Sequence, residues 1–290
     1  MKPARFELLQ PTTRAEALIA LAESPDETVI LAGGQSLVPL MNMRFVTAER
    51  VLDLNRVSEL AGVVRDNGSL LVGAMTRQRE VELSAAAGEA CPLLVQATRV
   101  IGYVSTRNRG TIGGTIAHAD TVAQVPCVAV ALGAEMRLQS DGGDRWLPAV
   151  DFFLGNLFNA REPHELLTEI RFPAAAATAR FGFAEFVRKA GDFPLVTAAV
   201  KLDLVDGSCA KARVAVGGAG PTPVRLPPCE QLLEGASAVT VELVSEVSRR
   251  AADFVDPPEN PFVSPEYRRN LVRTVVSRAL DRAREQGEAH

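Results

Sequence analysis

The chain has 290 residues, of which 47% are hydrophobic and 23% are charged, and its formal net charge is −4. These values are typical of a globular protein with a substantial core, and the length allows two or three domains. The acidic balance argues against nucleic acid as the main partner, because a phosphate-binding surface normally carries a basic excess. The sequence shows neither the run of about 18 apolar residues that a membrane span needs nor the apolar core of a secretory signal, so we expect a cytoplasmic protein.

The first 55 residues predict a small α/β unit. Thr13 and Glu16 have the spacing of a capping box, and apolar residues at helical spacing follow, so a helix is predicted over residues 14–23. Residues 28–32 predict a buried strand, and residues 50–54 predict another.

Residues 56–176 predict a second, mixed unit. Helical patterns cover residues 78–87, 93–101 and 122–132, and a hairpin is predicted over residues 135–147. A proline followed by four alanines marks the end of this unit.

Residues 177–290 predict a third unit of strands followed by helices. The three expected antiparallel strands cover residues 184–187, 197–205 and 212–216. Two helices, near residues 240–254 and 265–285, are expected to close the chain.

The cysteines and histidines do not predict a metal site. They are Cys91, Cys127, Cys209, Cys229, His118, His164 and His290. No C-x-x-C pair is present, and the spacing matches neither zinc nor iron–sulfur ligation. Buried, reduced thiols are therefore expected, and any metal in a redox reaction of this protein would lie on another chain.

Two glycine pairs provide the main functional evidence. Each of the segments 32–36 (AGGQS) and 111–115 (TIGGT) combines adjacent glycines with hydroxyl side chains. Glycine permits a positive φ and removes the Cβ that would hold a ligand away. Successive backbone N–H groups can then form an anion-binding concavity, beside which Ser36, Thr111 and Thr115 could donate hydroxyl hydrogen bonds. Two such loops facing each other would hold a pyrophosphate.

Neither loop matches the common nucleotide motifs. G-x-G-x-x-G followed by an acidic residue is absent, and so is the G-x-x-x-x-G-K-[ST] of a P-loop. A third glycine cluster, residues 217–220, follows a predicted strand and leads into prolines, so we interpret it as a structural turn. A glycine pair alone is weak evidence for a ligand, and the case depends on the flanking residues.

Those flanking residues resemble one family. Residues 31–44 (LAGGQSLVPLMNMR) and 107–120 (RNRGTIGGTIAHAD) are similar to the FAD-binding medium subunits of molybdenum hydroxylases. This family includes aerobic carbon monoxide dehydrogenase and xanthine dehydrogenase. The resemblance covers the whole chain and includes residues 188–193 (RKAGDF) and 216–223 (VGGAGPTP).

The resemblance implies an α+β fold in which FAD lies between two subdomains. Residues 1–55 and 56–176 would form a PCMH-type FAD-binding fold, like that of vanillyl-alcohol oxidase. Residues 177–290 would form a C-terminal domain of three antiparallel strands and a helical bundle. The cofactor-binding residues that the resemblance implies are Leu31, Ala32, Gly33, Gly34, Gln35, Ser36, Leu37, Ile101, Tyr103, Thr111, Ile112, Gly113, Gly114, Thr115, Asp120 and Gln124.

The sequence departs from the family pattern at two of these positions. Some relatives carry histidine where this chain has Gln35, so we predict that FAD is bound non-covalently. Gln124 stands where the family commonly has glutamate, which leaves its role open. No catalytic residue is predicted, because His118 is interpreted as holding the second loop by a local hydrogen bond rather than as a base.

By resemblance, the chain is an electron-transfer flavoprotein subunit and part of an oxidoreductase. A large molybdopterin-binding subunit would oxidise the substrate, and a small subunit with [2Fe–2S] clusters would deliver electrons to FAD, in a dimer of heterotrimers. Two alternatives are a self-sufficient FAD oxidase or dehydrogenase and a non-catalytic scaffold. The substrate and the terminal electron acceptor are not encoded in recognisable residues of this chain.

Overall fold

The computed structural model describes residues 1–286, so His290 and the end of the expected third domain lie outside the described residues. The described chain forms three main sheets and a two-stranded ribbon. The strands are β1 (Glu7–Leu9), β2 (Thr28–Leu31), β3 (Arg50–Asp53), β4 (Val63–Asp66), β5 (Ser69–Gly73), β6 (Glu135–Ser140), β7 (Gly143–Pro148), β8 (Phe153–Gly155), β9 (Phe158–Asn159), β10 (Leu166–Pro173), β11 (Ala179–Phe186), β12 (Val196–Val205), β13 (Ser208–Gly217) and β14 (Val224–Arg225).

Most helices lie in the middle of the chain or at its C-terminal end. They are α1 (Arg14–Glu23), α2 (Leu37–Asn42), α3 (Gln78–Leu83), α4 (Ala85–Ala90), α5 (Pro92–Arg99), α6 (Val104–Arg109), α7 (Ile112–His118), α8 (Gln124–Leu132), α9 (Ala149–Phe152), α10 (Pro227–Leu233), α11 (Val241–Phe254) and α12 (Pro265–Glu285). Within residues 1–286, no helix is both long and apolar enough to cross a membrane.

The first sheet is parallel, with the strand order β1-β3-β2. Helix α1 begins at the predicted capping box, in which the Thr13 side chain accepts from Glu16 N and the Glu16 side chain accepts from Thr13 N. Ala17 and Leu21 of α1 are fully buried in a core shared with Leu52 of β3. Strand β2 therefore has a fixed position, and the first glycine loop follows directly from its end.

The second sheet is antiparallel, with the order β4-β5-β10-β6-β7, and it includes the predicted hairpin as β6 and β7. The helix expected over residues 78–87 is two helices, because Ser84 ends α3 and begins α4. Its side chain accepts from Ala87 N at 3.2 Å, which caps α4. A serine oxygen favours this cap over a helix interior.

The third sheet is antiparallel, with the order β11-β12-β13-β14. The three expected strands are present as β11, β12 and β13, of which β11 and β13 are longer than predicted, and β14 adds two residues at one edge. Helices α11 and α12 pack together, and α12 lies directly on β11. Helix α8 of the second unit packs against β12 and β13, so the second and third units share apolar contacts.

The contact between α12 and β11 depends on a glycine. A Cβ added at Gly182 would lie 1.8 Å from Ala279 O, whereas one added at the helical Gly88 would meet nothing within 4 Å. We therefore expect Gly182→Ala to lower the free energy of unfolding by about 2 kcal/mol or more, because α12 must move away from the strand. Gly88→Ala, the control, should change it by less than about 1 kcal/mol. Urea unfolding of both variants measures the difference, and equal effects would contradict this packing.

Candidate functional site

A cavity of about 500 Å³ lies where the three units meet. This volume falls in the range of about 300–1,000 Å³ that is usual for ligand sites. The segments that line it come from both glycine loops, the end of β5, the start of α8, the loop after β9 and the turn before β12. The lining residues are Val29, Ile30, Ala32–Leu37, Leu54, Ala74, Met75, Gln78, Ile101, Gly102, Thr106, Gly110, Thr111, Gly113–Thr115, Ala117, His118, Asp120, Ala123, Gln124, Asn159, Arg161, Leu166, Leu167 and Gly191–Pro194.

The first glycine loop presents free backbone donors to this cavity. Gly34 has a φ of 72°, a conformation that favours glycine, and it turns the chain from β2 towards α2. In the described chain, none of the backbone N–H groups from Gly33 to Leu37 donates to a protein acceptor. The Gln35 side chain donates to Gly33 O at 3.2 Å and so remains within the loop. Free successive amides of this kind suit an anion.

The second glycine loop differs, because its backbone donors are already used. Each N–H group from Ile112 to Thr115 donates to a protein oxygen. The pairs are Ile112 N to Thr76 O (3.0 Å), Gly113 N to Ala74 O (2.9 Å), Gly114 N to Thr111 Oγ1 (3.0 Å) and Thr115 N to Thr111 O (3.1 Å). Our expectation of backbone donors from both loops therefore holds for the first loop only.

The second loop instead offers a hydroxyl group. Thr111 Oγ1 accepts from Gly114 N, and its own proton remains available to a ligand. The hydroxyl of Thr115 donates to Thr111 O at 3.0 Å and accepts from Gln78 Nε2 at 2.8 Å. Thr111 is therefore the better-placed donor of the two threonines.

The glycines are required by contacts between the loops themselves. A Cβ on Gly33 would lie 2.4 Å from Arg109 O and 2.7 Å from Gly110 Cα. A Cβ on Gly113 would lie 2.4 Å from Ala74 Cβ. These two glycines therefore permit close approach of protein to protein, and they also line the cavity.

A polar bridge also joins the two loops. Asn55 Nδ2 donates to Ala32 O at 3.0 Å in the first loop. Arg77 donates to Asn55 Oδ1 at 2.7 Å and also to Arg109 O, just before the second loop. This bridge helps to fix the separation of the loops.

Three of the predicted site residues do not line the cavity. Leu31 pairs with Asp53 in the first sheet, and Ile112 is fully buried in the core. Tyr103 is 56% exposed, and its hydroxyl donates to Ala190 O at 3.0 Å. A Cβ added at Gly191 would lie 2.5 Å from the Tyr103 ring. Tyr103 therefore packs against the turn that carries the lining residues Gly191–Pro194. All the other predicted residues line the cavity.

The polar residues after the second loop have different roles. The His118 side chain lines the cavity but does not make the expected local hydrogen bond, and it has no hydrogen-bond partner within residues 1–286. Asp120 Oδ1 accepts from Val122 N at 3.1 Å, which shapes the turn before α8. Gln124 Nε2 donates to Glu185 Oε2 of β11 at 2.8 Å, so this contact joins the second and third units.

Gln78 and Arg161 line the cavity but were not predicted from the sequence. Gln78 is buried, and its Oε1 has no hydrogen-bond partner in the described chain. One Arg161 guanidinium nitrogen donates to the carbonyl oxygens of Glu162, Pro163 and Glu165. Burial lowers the pKa of Arg161 below its ordinary value, whereas the charges of Glu165 and Glu162 act in the opposite direction and raise it.

Arg161 forms no ion pair among the described residues, because the neighbouring Glu165 carboxylate is held by Arg145 at 2.7 Å. It is therefore a half-buried cation beside the cavity. Neither Gln78 nor Arg161 lies in a glycine motif, and a lone arginine in a polar loop has no recognisable pattern.

With this geometry established, comparisons with known proteins define the family. The model described as "FAD binding domain in molybdopterin dehydrogenase" matches residues 4–175. The model described as "CO dehydrogenase flavoprotein C-terminal domain" matches residues 181–283. The chain belongs to the family of FAD-binding medium subunits of molybdenum-containing dehydrogenases, which are oxidoreductases.

The relatives match over nearly their whole length. Caffeine dehydrogenase subunit beta from Pseudomonas sp. (strain CBB1) is 38% identical over 98% of this chain and 96% of the relative. The structure of carbon monoxide dehydrogenase from Hydrogenophaga pseudoflava has a TM-score of 0.93 at 34% identity and 98% coverage of both chains. Quinoline 2-oxidoreductase from Pseudomonas putida 86 has a TM-score of 0.94 at 31% identity and 100% coverage of both chains.

The cap at Thr111 provides a test of the second loop. Thr111→Val removes the acceptor for Gly114 N and should lower the free energy of unfolding by about 1–2 kcal/mol. Thr111→Ser keeps the hydroxyl and should cost much less. Thermal or urea unfolding compares the two variants, and an equal loss for both would show that the methyl group of Thr111, rather than its cap, supports the loop.

Proposed function

We propose that this chain is the FAD-carrying electron-transfer subunit of a heteromeric molybdenum-containing dehydrogenase. It would take electrons from the [2Fe–2S] clusters of a partner and pass them to an external acceptor. The observation that supports this proposal most strongly is the cavity between the two glycine loops, in a chain whose whole length belongs to this family.

The residues present fit FAD. The free amides of Gly33–Leu37 and the Thr111 hydroxyl would hold the pyrophosphate. Arg161 would add positive charge to a cavity that receives a dianionic ligand. Apolar lining residues such as Leu54 and Leu166 would contact the ring systems. When bound, FAD supplies the capacity to accept and release electrons, while the protein supplies binding, orientation and electrostatic tuning.

The proposal also assigns the metal centres to partner subunits. Among the described residues, no group of three or more His, Cys, Asp or Glu side chains could hold a metal ion. The molybdenum cofactor would lie on a large partner subunit and the clusters on a small one. The relatives are named as a subunit beta and a medium chain, which supports a complex. The dimer of heterotrimers and the cytoplasmic location are further expectations of the proposal.

One observation keeps a second candidate function open to test. His118 lines the cavity without a hydrogen-bond partner among residues 1–286, so it is available as a base in a self-sufficient FAD oxidase. We expect the isolated, FAD-loaded chain to show no turnover with a dye acceptor and caffeine or quinoline, the compounds for which two relatives are named. Turnover that is lost in His118→Gln would favour the oxidase instead.

The loop contact provides the test of FAD binding. Gly33→Ala adds a methyl group 2.4 Å from Arg109 O and should separate the loops, which weakens FAD binding about tenfold or more. Gly88→Ala adds the same group in open space and should bind FAD like the wild type. Titration of the flavin-free chain with FAD, followed by flavin fluorescence, measures the dissociation constants. A wild-type chain that binds no FAD, alone or with its partner subunits, contradicts the proposed function.

A further inference from the structure

Gln124 is an oriented amide in the wall of the cavity. It is the first residue of α8 and is only 5% exposed. Its Nε2 donates to Glu185 Oε2 at 2.8 Å. An ionised carboxylate only accepts hydrogen bonds, so the amide must turn its nitrogen towards Glu185 and its oxygen away from it.

The oxygen of this amide is free. Gln124 Oε1 accepts no hydrogen bond from residues 1–286, and it is not among the buried polar atoms that are closed off from solvent. Because Gln124 lines the cavity, this acceptor is open to a ligand. A neutral amide differs here from a carboxylate, whose two oxygens both accept and which needs no partner to orient it.

Glu185 reaches Gln124 from the other unit. It lies on β11, and burial raises the pKa of its carboxyl group, while the Gln124 hydrogen bond and the charge of Arg282 lower it. Arg282 is held in place, since it donates to Phe183 O. A glutamate at position 124 would set two carboxylates against each other, so Glu185 suits the glutamine of this chain.

We propose that Glu185 is a positioning residue that fixes the Gln124 amide, so that Oε1 accepts a hydrogen bond from an N–H or O–H group of the flavin cofactor. The inference rests on the proposed function. FAD carries such donors on its ring N–H groups and on the hydroxyls of its ribityl and ribose parts. Without Glu185 the amide can turn over, and its NH₂ group would then meet these donors.

A purely structural role would predict a different outcome. The Gln124–Glu185 contact also joins two units, so its loss could affect stability alone. However, α8 is already attached to the third sheet by apolar packing, and the thiol of the fully buried Cys127 donates to Ala215 O at 3.6 Å. Loss of the Gln124–Glu185 hydrogen bond should therefore change the affinity for FAD without a matching change in thermal stability.

Single substitutions at positions 124 and 185, and the exchange of the two side chains, test this proposal on the full chain. Glu185→Ala removes the acceptor that orients the Gln124 amide and should weaken FAD binding about three- to tenfold, with little change in melting temperature. Gln124→Glu sets two carboxylates together and should weaken binding at least as much. The double variant Q124E/E185Q reverses the bond, because the amide introduced on β11 can donate to the carboxylate introduced on α8. One oxygen of that carboxylate then stays open to the cavity, so the double variant should bind FAD within about twofold of wild type.

The readouts are the FAD dissociation constant by fluorescence titration, the visible absorption spectrum of the bound flavin and the melting temperature of the flavin-free chain. Wild-type affinity in both single variants, or a double variant no better than Gln124→Glu, overturns the proposal. So does an affinity loss that simply follows the melting temperature. If the wild-type chain itself binds no FAD, the proposed function and this inference both fail, whereas the other outcomes leave the proposed function intact.

Discussion

The close contact between the two glycine loops is the constraint on which the cavity depends. Gly33 touches the backbone at Arg109 and Gly110 so tightly that no side chain fits between them. Behind this contact, Asn55 and Arg77 bridge the loops with hydrogen bonds. The free amides of the first loop and the Thr111 hydroxyl are thereby held against the same cavity, without a charged side chain in either loop.

This arrangement leaves the two loops with unequal roles. The second loop uses the amides of Ile112 and Gly113 to attach α7 to Thr76 and Ala74, which follow β5, and its other two amides bond to Thr111. The first loop keeps its amides unpaired, which costs stability unless water or a ligand satisfies them. The amides of the first loop are unpaired and those of the second loop are hydrogen-bonded within the protein. This arrangement is consistent with a site that is largely formed before its ligand binds.

Local features of the chain could be predicted from sequence. The capping box of α1, the hairpin of β6 and β7 and the final helix α12 each depend on neighbouring residues, and each is present. The glycine pairs were recognisable because their motifs are contiguous. In contrast, the pattern over residues 78–87 predicted one helix. The cap formed by the Ser84 side chain divides it into two, and the apolar pattern gave no sign of this division.

Contacts between distant segments could not be predicted. The pairing of Gln124 with Glu185 and the burial of Arg161 beside the cavity arise only when separate units come together. Two amides of the second loop, those of Ile112 and Gly113, likewise depend on Thr76 and Ala74, which belong to another part of the chain. A single sequence contains no pattern that indicates contacts between distant segments. Solved relatives named for carbon monoxide and for quinoline share this fold.

Hydrogen–deuterium exchange at single-residue resolution, with and without FAD, tests most directly whether the first loop binds the cofactor. We predict that FAD slows exchange most strongly at the amides of Gly33–Leu37, which are unpaired in the free protein. The amides of Ile112–Thr115 should change little, because they are already bonded. Unchanged exchange in the first loop while FAD is bound would contradict these roles of the two loops.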